Sequence, residues 1–138
     1  SGPYELKFKK AAIKLQIDKD VNWLGKIERD ELLSIFNKSD LLLYPSLRDS
    51  GGLVVLEALS QGLPVATLNL GGPGEIINND CGIKIDVNNK SESQIIFDLT
   101  AKIEQLIKNE IRINYLRNKS LERINHYSWI NKALRLYK

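Results

Sequence analysis

The sequence predicts an α/β protein, a three-layer sandwich in which helices cover a parallel sheet. Residues 40–46 are nearly all apolar, which is typical of a parallel strand covered on both faces, and residues 64–70 form another predicted strand, with proline at its first position. A helical pattern follows each run, and strands that alternate with helices favour parallel pairing. No repeat, low-complexity segment or internal linker divides the 138 residues, so we expect one domain.

The composition excludes several classes of protein. With 43% hydrophobic and 27% charged residues, the chain is ordinary for a globular domain. Its apolar runs are all shorter than the roughly 18 residues of a membrane span, and residues 1–10 lack the apolar core of a signal peptide. The one cysteine, Cys81, excludes an internal disulfide and fits a reducing compartment. We therefore predict a cytoplasmic protein with Cys81 in its core.

Positive charge is concentrated at the carboxyl end. Residues 101–138 contain nine Lys and Arg against three Glu, a net charge of +6 in a chain whose total is +3. We expect a solvated outer helix face there, and binding to a membrane surface or to nucleic acid is the alternative.

Hydrophobic periodicity and the residues that start or end helices predict the remaining helices and strands. The predicted helices are residues 4–15, 31–37 and 53–61, a short one from Pro73 to Ile77, two between 91 and 127, and a last one capped by Ser128. Residues 21–25 and 81–87 are predicted strands, the second at the outside of the sheet.

Residues 44–58 carry the features of a binding site. A strand ends at Pro45 and Ser46, and a loop containing Gly51 and Gly52 leads directly into a helix. Ligands of open α/β sheets bind at the carboxyl ends of the strands. Adjacent glycines let a ligand approach the backbone, and the first amides of a helix attract anions. The pattern therefore predicts a diphosphate site.

Glu57 lies one turn into that helix, which is apolar on nearly every face and is therefore expected to be buried. A carboxylate at such a position needs hydrogen-bond partners. A ribose diol supplies two donors to this acceptor, while a backbone group or a lysine would serve a purely structural role. The spacing leaves both interpretations open.

These residues resemble a known family. Asp49, seven residues and Glu57, followed by the run 58–65, resemble the acid–x7–Glu motif of the group 1 glycosyltransferases. Residues 39–46, 71–75 and 127–129 are similar to other segments of that family. The resemblance implies a Rossmann-like three-layer sandwich of the GT-B architecture, a retaining mechanism, and a carboxyl-terminal, nucleotide-sugar-binding domain.

The resemblance also implies roles for particular residues. Glu57 would bind the ribose hydroxyls and Asp49 the hydroxyls of the transferred sugar, without a metal ion. Three further positions, Gly25, Lys26 and Ile27, would lie near the base. The implied diphosphate-binding backbone is that of Ser50, Gly51, Gly52, Leu53 and Val54.

The sequence departs from the family pattern at several points. Asp49 stands where glutamate is usual, and Ser50-Gly51-Gly52 replaces Gly-Phe-Gly, which affects the sugar contact more than the nucleotide contact. The family's diphosphate-binding Arg and Lys, its acceptor domain and two strands precede the first residue. We expect an incomplete sheet whose strands 21–25 and 41–44 close up, or whose open edges another copy covers.

The implied function is transfer of a sugar from a UDP- or GDP-sugar to a glycan or lipid-linked acceptor in polysaccharide biosynthesis. We expect the fragment alone to be inactive, to be cytoplasmic and not to bind nucleic acid, with peripheral association at the inner face of the membrane as the alternative. The alternatives are another GT-B enzyme, such as a sugar-nucleotide epimerase or a phosphorylase, and a non-catalytic interaction module that uses the basic helices.

Some side chains have two interpretations. Arg48 either reaches a phosphate or forms a local ion pair. Glu75 either lines the cleft or is an acid at the start of a helix. The single histidine, His126, is predicted to be structural.

Overall fold

A computed structural model describes residues 2–127. The chain divides into a first unit that ends at Leu32 and a second that begins at Leu33. The predicted last helix, from Ser128 onward, lies outside the described residues.

Helices and strands alternate through most of the chain. The helices are α1 (Glu5–Lys14), α2 (Arg29–Lys38), α3 (Leu53–Ser60), α4 (Gly71–Ile76), α5 (Glu92–Ile107) and α6 (Glu110–Asn125), with a 3-10 turn at Asp18–Asp20. The strands are β1 (Leu42–Tyr44), β2 (Val65–Leu68) and β3 (Gly82–Ile85).

The three strands form one parallel sheet in the order β1-β2-β3. Leu42 of β1 pairs with Val65 of β2, and Val65 pairs with Gly82 of β3. The central strand is buried at all four positions, as expected for a parallel strand with a neighbour on each side. The predicted α/β class, the parallel pairing and the outer position of β3 are confirmed.

The core lies where the sheet meets α5 and α6. Leu106 of α5 and Leu116 of α6 pack against side chains of β2 and β3. Cys81 is fully buried, as predicted, and burial raises the pKa of its thiol. The Ser120 hydroxyl donates to the carbonyls of Leu116 and Cys81, at 2.9 and 3.3 Å, so this buried polar group is satisfied.

Helix boundaries follow the local chemistry of the sequence. The Ser91 side chain accepts from the amide of Gln94 in a capping box at the start of α5. The side chain of Asn109 accepts from the amide of Arg112 at the start of α6. The residue after the C-cap of α3 is Gly62, whose φ of +68° is the left-handed conformation that ends helices. The predicted end of this helix is confirmed.

The strand predicted at residues 21–25 is wrong. The backbone is extended at Val21, but the segment contains no β-ladder, and Gly25 turns left-handed at φ +65°. Trp23 belongs to the first unit, where the Lys9 ammonium lies 5.8 Å from the centre of the Trp23 ring. The described sheet consists of β1, β2 and β3 alone, so the strand that was expected to close up with residues 41–44 is not one of its strands.

The strand predicted at residues 40–46 is shorter and less buried than expected. Residues 40–46 were expected to be covered on both faces, but β1 contains only Leu42–Tyr44, and Leu43 is 53% exposed. The reason is its place in the sheet, where β1 pairs with β2 alone. Association of copies through such an outer strand stays a prediction.

Between residues 2 and 127, no helix combines the length and the apolar character needed to cross a bilayer.

Gly82→Ala tests the contact between β2 and β3. A Cβ at this position would lie 2.1 Å from the carbonyl oxygen of Val65, which is backbone and cannot move aside. We expect the free energy of unfolding, measured by urea denaturation, to fall by about 1–3 kcal/mol. Gly51→Ala is the control, because its Cβ would meet nothing closer than 3.9 Å. Equal stability of both variants would contradict the close packing.

Candidate functional site

The β1–α3 loop, residues 45–52, follows the carboxyl end of β1, where ligands of parallel sheets bind. Its conformation depends on Asp49. One carboxylate oxygen, Oδ1, accepts the amides of Gly51 and Gly52 at 2.9 and 2.8 Å. The other, Oδ2, accepts the hydroxyl of Tyr44 at 3.0 Å. The side chain thus fixes the loop that contains it.

These bonds also set the protonation of both side chains. The amides of Gly52 and Gly51, and then the Tyr44 hydroxyl, lower the pKa of Asp49 because they stabilise its ionised form. Burial, and then the bond to Asp49, raise the pKa of Tyr44. At neutral pH the pair is therefore an ionised acceptor and a protonated donor.

The start of α3 offers backbone donors. Gly52 precedes the helix with a φ of +64°, and the first bond of the helical ladder runs from the amide of Leu56 to the carbonyl of Gly52. The amides of Leu53, Val54 and Val55 come before that bond. Together with the positive end of the helix dipole, amides at this place bind anions.

The β1–α3 loop packs backbone to backbone against α4. The amide of Gly72 donates to the carbonyl of Asp49 at 3.0 Å. A Cβ on Gly71 would lie 2.3 Å from that same oxygen, and a Cβ on Gly72 would lie 2.6 Å from the carbonyl oxygen of Ser50. Glycine is required at both positions because no side chain fits between the two segments.

A cleft of about 530 Å³ opens between the start of α3 and α4. Residues of its lining include Ser50, Gly51, Leu53, Gly72, Glu75 and Tyr127. The Leu53 side chain is 73% exposed, although the helix was expected to be buried on nearly every face. Three residues of the predicted diphosphate-binding segment, Ser50, Gly51 and Leu53, thus line a cleft together with Glu75, whereas Gly52 and Val54 do not line it.

Glu57 lies in the second turn of α3 and is half-buried. Its carboxylate is therefore not sealed in the interior, and its backbone carbonyl accepts the Ser60 hydroxyl at 2.6 Å. Both interpretations of Glu57, ribose binding and a structural partner, are compatible with this position.

Among the other residues that the sequence singled out, Arg48 and His126 do not line this cleft. Gly25, Lys26 and Ile27 belong to the first unit, and their contact with a base stays a prediction. Arg48 is exposed in the β1–α3 loop. The exposed His126 follows the last residue of α6. Within residues 2–127 no group of three His, Cys, Asp or Glu is placed to hold a metal ion.

Sequence reasoning missed three residues that hold α4. Arg123 donates to the carbonyls of Glu75 and Ile76, Lys84 donates to the carbonyl of Gly74, and the hydroxyl of Tyr127 donates to that of Glu75. The partners of Arg123 are 47 and 48 residues away in sequence, so no local pattern predicts them.

Comparison with known proteins identifies related chains. The family model described as "Glycosyl transferases group 1" matches residues 1–124. The chain is 27% identical over 130 residues to a D-inositol 3-phosphate glycosyltransferase of Corynebacterium efficiens, covering 94% of this chain and 29% of the relative. It is 32% identical over 123 residues to a sucrose synthase of Nitrosomonas europaea, covering 83% of this chain and 15% of the relative.

A solved structure has the same fold. The pneumococcal O-GlcNAc transferase GtfA, in complex with UDP and GlcNAc, superposes with a TM-score of 0.80 at 23% identity. The match covers 91% of this chain and 24% of that chain. This likeness confirms the Rossmann-like fold. The chain spans less than a third of the length of each of these proteins.

Asp49→Asn tests the role of the carboxylate in the loop. Because the folded-state pKa of Asp49 is lowered, its ionised form stabilises the fold above the unfolded-state pKa of about 3.9. This contribution is lost as pH falls through the lowered pKa. We expect the variant to melt below wild type at pH 7, with the difference shrinking towards pH 3. Tyr44→Phe, which removes one of the three donors, should give a smaller difference.

Melting temperatures measured from pH 3 to pH 7 check this expectation. A difference between Asp49→Asn and wild type that does not change with pH would contradict it.

Proposed function

Because the chain belongs to the group 1 glycosyl transferases, as its resemblance predicted, we propose that it forms the donor-binding part of an enzyme that transfers a sugar from a nucleotide-diphosphate sugar. The observation that carries the proposal is the start of α3, whose first amides stand at a cleft lined by glycines. Such a site suits a pyrophosphate, which needs backbone donors at close range.

The diphosphate would lie on the amides of Leu53 and Val54. The amides of Gly51 and Gly52 donate to Asp49 in this structure, and they would serve the diphosphate only by sharing those hydrogens. The positive end of α3 supplies part of the charge compensation that a metal ion supplies in other enzymes.

Glu57 would bind the ribose and Asp49 the transferred sugar. A carboxylate has about four acceptor positions, and three bonds from Tyr44, Gly51 and Gly52 already engage Asp49. A remaining position would accept a sugar hydroxyl while the others keep the loop in place. For the base we propose the loop of Gly25, Lys26 and Ile27, with UDP and GDP as the candidate carriers.

We further propose that transfer retains the anomeric configuration and needs an acceptor-binding domain besides residues 1–138. A glycan or a lipid-linked acceptor and a cytoplasmic location complete the proposal. The basic helices are used internally, since Arg112 donates to the Asn79 carbonyl, Arg117 to that of Ser39 and Arg123 to that of Ile76. These bonds favour a structural role for the charge over a nucleic-acid-binding or membrane-binding module.

The donor site is tested by adding nucleoside diphosphates to the full-length protein and measuring its melting temperature. A ligand at 100 times its Kd stabilises the folded state by about 2.7 kcal/mol. We expect UDP or GDP to raise the melting temperature of the wild type. Glu57→Gln should weaken binding about tenfold or more, because it replaces a charged acceptor of the ribose diol.

Glu104→Gln is the matched control, since Glu104 is an exposed glutamate of α5. It should bind like wild type. A wild type that no nucleoside diphosphate stabilises, or a Glu57→Gln variant with unchanged affinity, would contradict the assignment.

The stereochemical outcome and the need for a second domain are tested by product analysis. With a nucleotide sugar of α configuration, the full-length enzyme should form an α-linked product, read from its anomeric coupling constant by NMR. Residues 1–138 alone should bind the nucleotide without turnover. A β-linked product refutes retention, and transfer by the isolated segment refutes the need for the acceptor domain.

A further inference from the structure

The carbonyl end of α4 is held by cationic side chains from distant parts of the chain. Arg123 of α6 donates through Nε to the carbonyl of Ile76 at 2.8 Å and through Nη2 to that of Glu75 at 3.2 Å. Lys84 of β3 donates to the carbonyl of Gly74 at 3.0 Å. The last three carbonyls of this helix therefore each have a side-chain donor.

A helix of this composition needs such external support. It has six residues, three of them glycine and one proline, and every helix leaves its last carbonyls without partners inside the helix. Short helices are marginal on their own. A guanidinium has donors in a fixed fork that reaches two successive carbonyls, and its charge favours the negative end of the helix.

The other end of α4 fixes the β1–α3 loop. Gly72 donates to the carbonyl of Asp49, and the two backbones are too close for any side chain. A shift of α4 would therefore move the loop, and with it the amides at the start of α3.

We propose that Arg123 is a positioning residue for the nucleotide diphosphate, acting on the β1–α3 loop through α4. The inference rests on the proposed function, because it concerns the same cleft. Glu75, Ile76 and Tyr127 line this cleft, whereas Arg123 stands behind them. It also donates to the hydroxyl of Tyr127 at 3.2 Å, with its guanidinium 5.4 Å from the centre of that ring. One side chain thus organises the carbonyl end of α4 and the aromatic side of the cleft.

Arg117 provides a matched control on the same helix. It also donates to a backbone carbonyl, that of Ser39 at 2.6 Å, and to the carboxylate of Asp40 at 2.9 Å. These partners precede β1, at the end of the strand opposite to the cleft. Arg117→Gln therefore removes a comparable tertiary contact without touching α4.

The experiment measures nucleotide binding by calorimetry in the full-length protein, for wild type, Arg123→Gln, Arg123→Lys and Arg117→Gln. The probes are UDP and GDP, each with its monophosphate. Arg123→Gln should weaken diphosphate binding about tenfold and monophosphate binding less, because misplaced amides lose the second phosphate first. A lysine at this position donates to one carbonyl at a time, so the diphosphate affinity of Arg123→Lys should lie between those of wild type and Arg123→Gln. Arg117→Gln should bind like wild type.

Hydrogen exchange in the absence of nucleotide gives a second readout. We expect faster exchange of the amides of residues 71, 72 and 74–77 in Arg123→Gln, and no change there in Arg117→Gln. Unchanged exchange, unchanged diphosphate affinity of Arg123→Gln, or an equal loss of affinity in Arg117→Gln would overturn the inference. Wild type that binds none of the four nucleotides would instead contradict the proposed function, and the exchange data would still decide whether Arg123 holds α4.

Discussion

The candidate site depends on the close approach of two backbone segments. The amide of Gly72 donates to the carbonyl of Asp49, and a Cβ on Gly71 would lie 2.3 Å from the same oxygen. Just before α3, a Cβ on Gly52 would lie 2.5 Å from the side chain of Ile76, the last residue of α4. At Gly71 glycine is a requirement of space, because the neighbouring atom is backbone, whereas Gly52 is favoured by its positive φ. The loop, the start of α3 and the wall of the cleft all follow from this contact.

The backbone amides of residues 51–54 fall into two groups. The amides of Gly51 and Gly52 bind the carboxylate of Asp49, which holds the loop and keeps its own pKa low. The amides of Leu53 and Val54 precede the first bond of the helix and face outward from its positive end. One acid therefore shapes the loop, while the first amides of α3 lie outside the helical ladder.

The positive charge of the carboxyl-terminal helices has a structural use in the part of the chain that the structure describes. Arg117 binds the segment before β1, and Arg123 binds the end of α4. These guanidinium groups satisfy carbonyls before β1 and at the end of α4 that no helix or strand satisfies. A count of charges along the sequence gives the net charge but does not show which carbonyls these side chains bind.

Local patterns determined the helices, the three strands of the described sheet and the glycine-rich loop, because periodicity, caps and the left-handed Gly62 are properties of neighbouring residues. Residues 21–25 do not form a strand, because a strand needs a neighbouring strand to pair with, and the local sequence does not specify that neighbour. The acid–x7–Glu spacing located the site but not the bonds of Asp49 to its own loop. Only the tertiary structure brought Arg123 to Ile76 across 47 residues, since contacts at that separation are set by packing and leave no periodic trace.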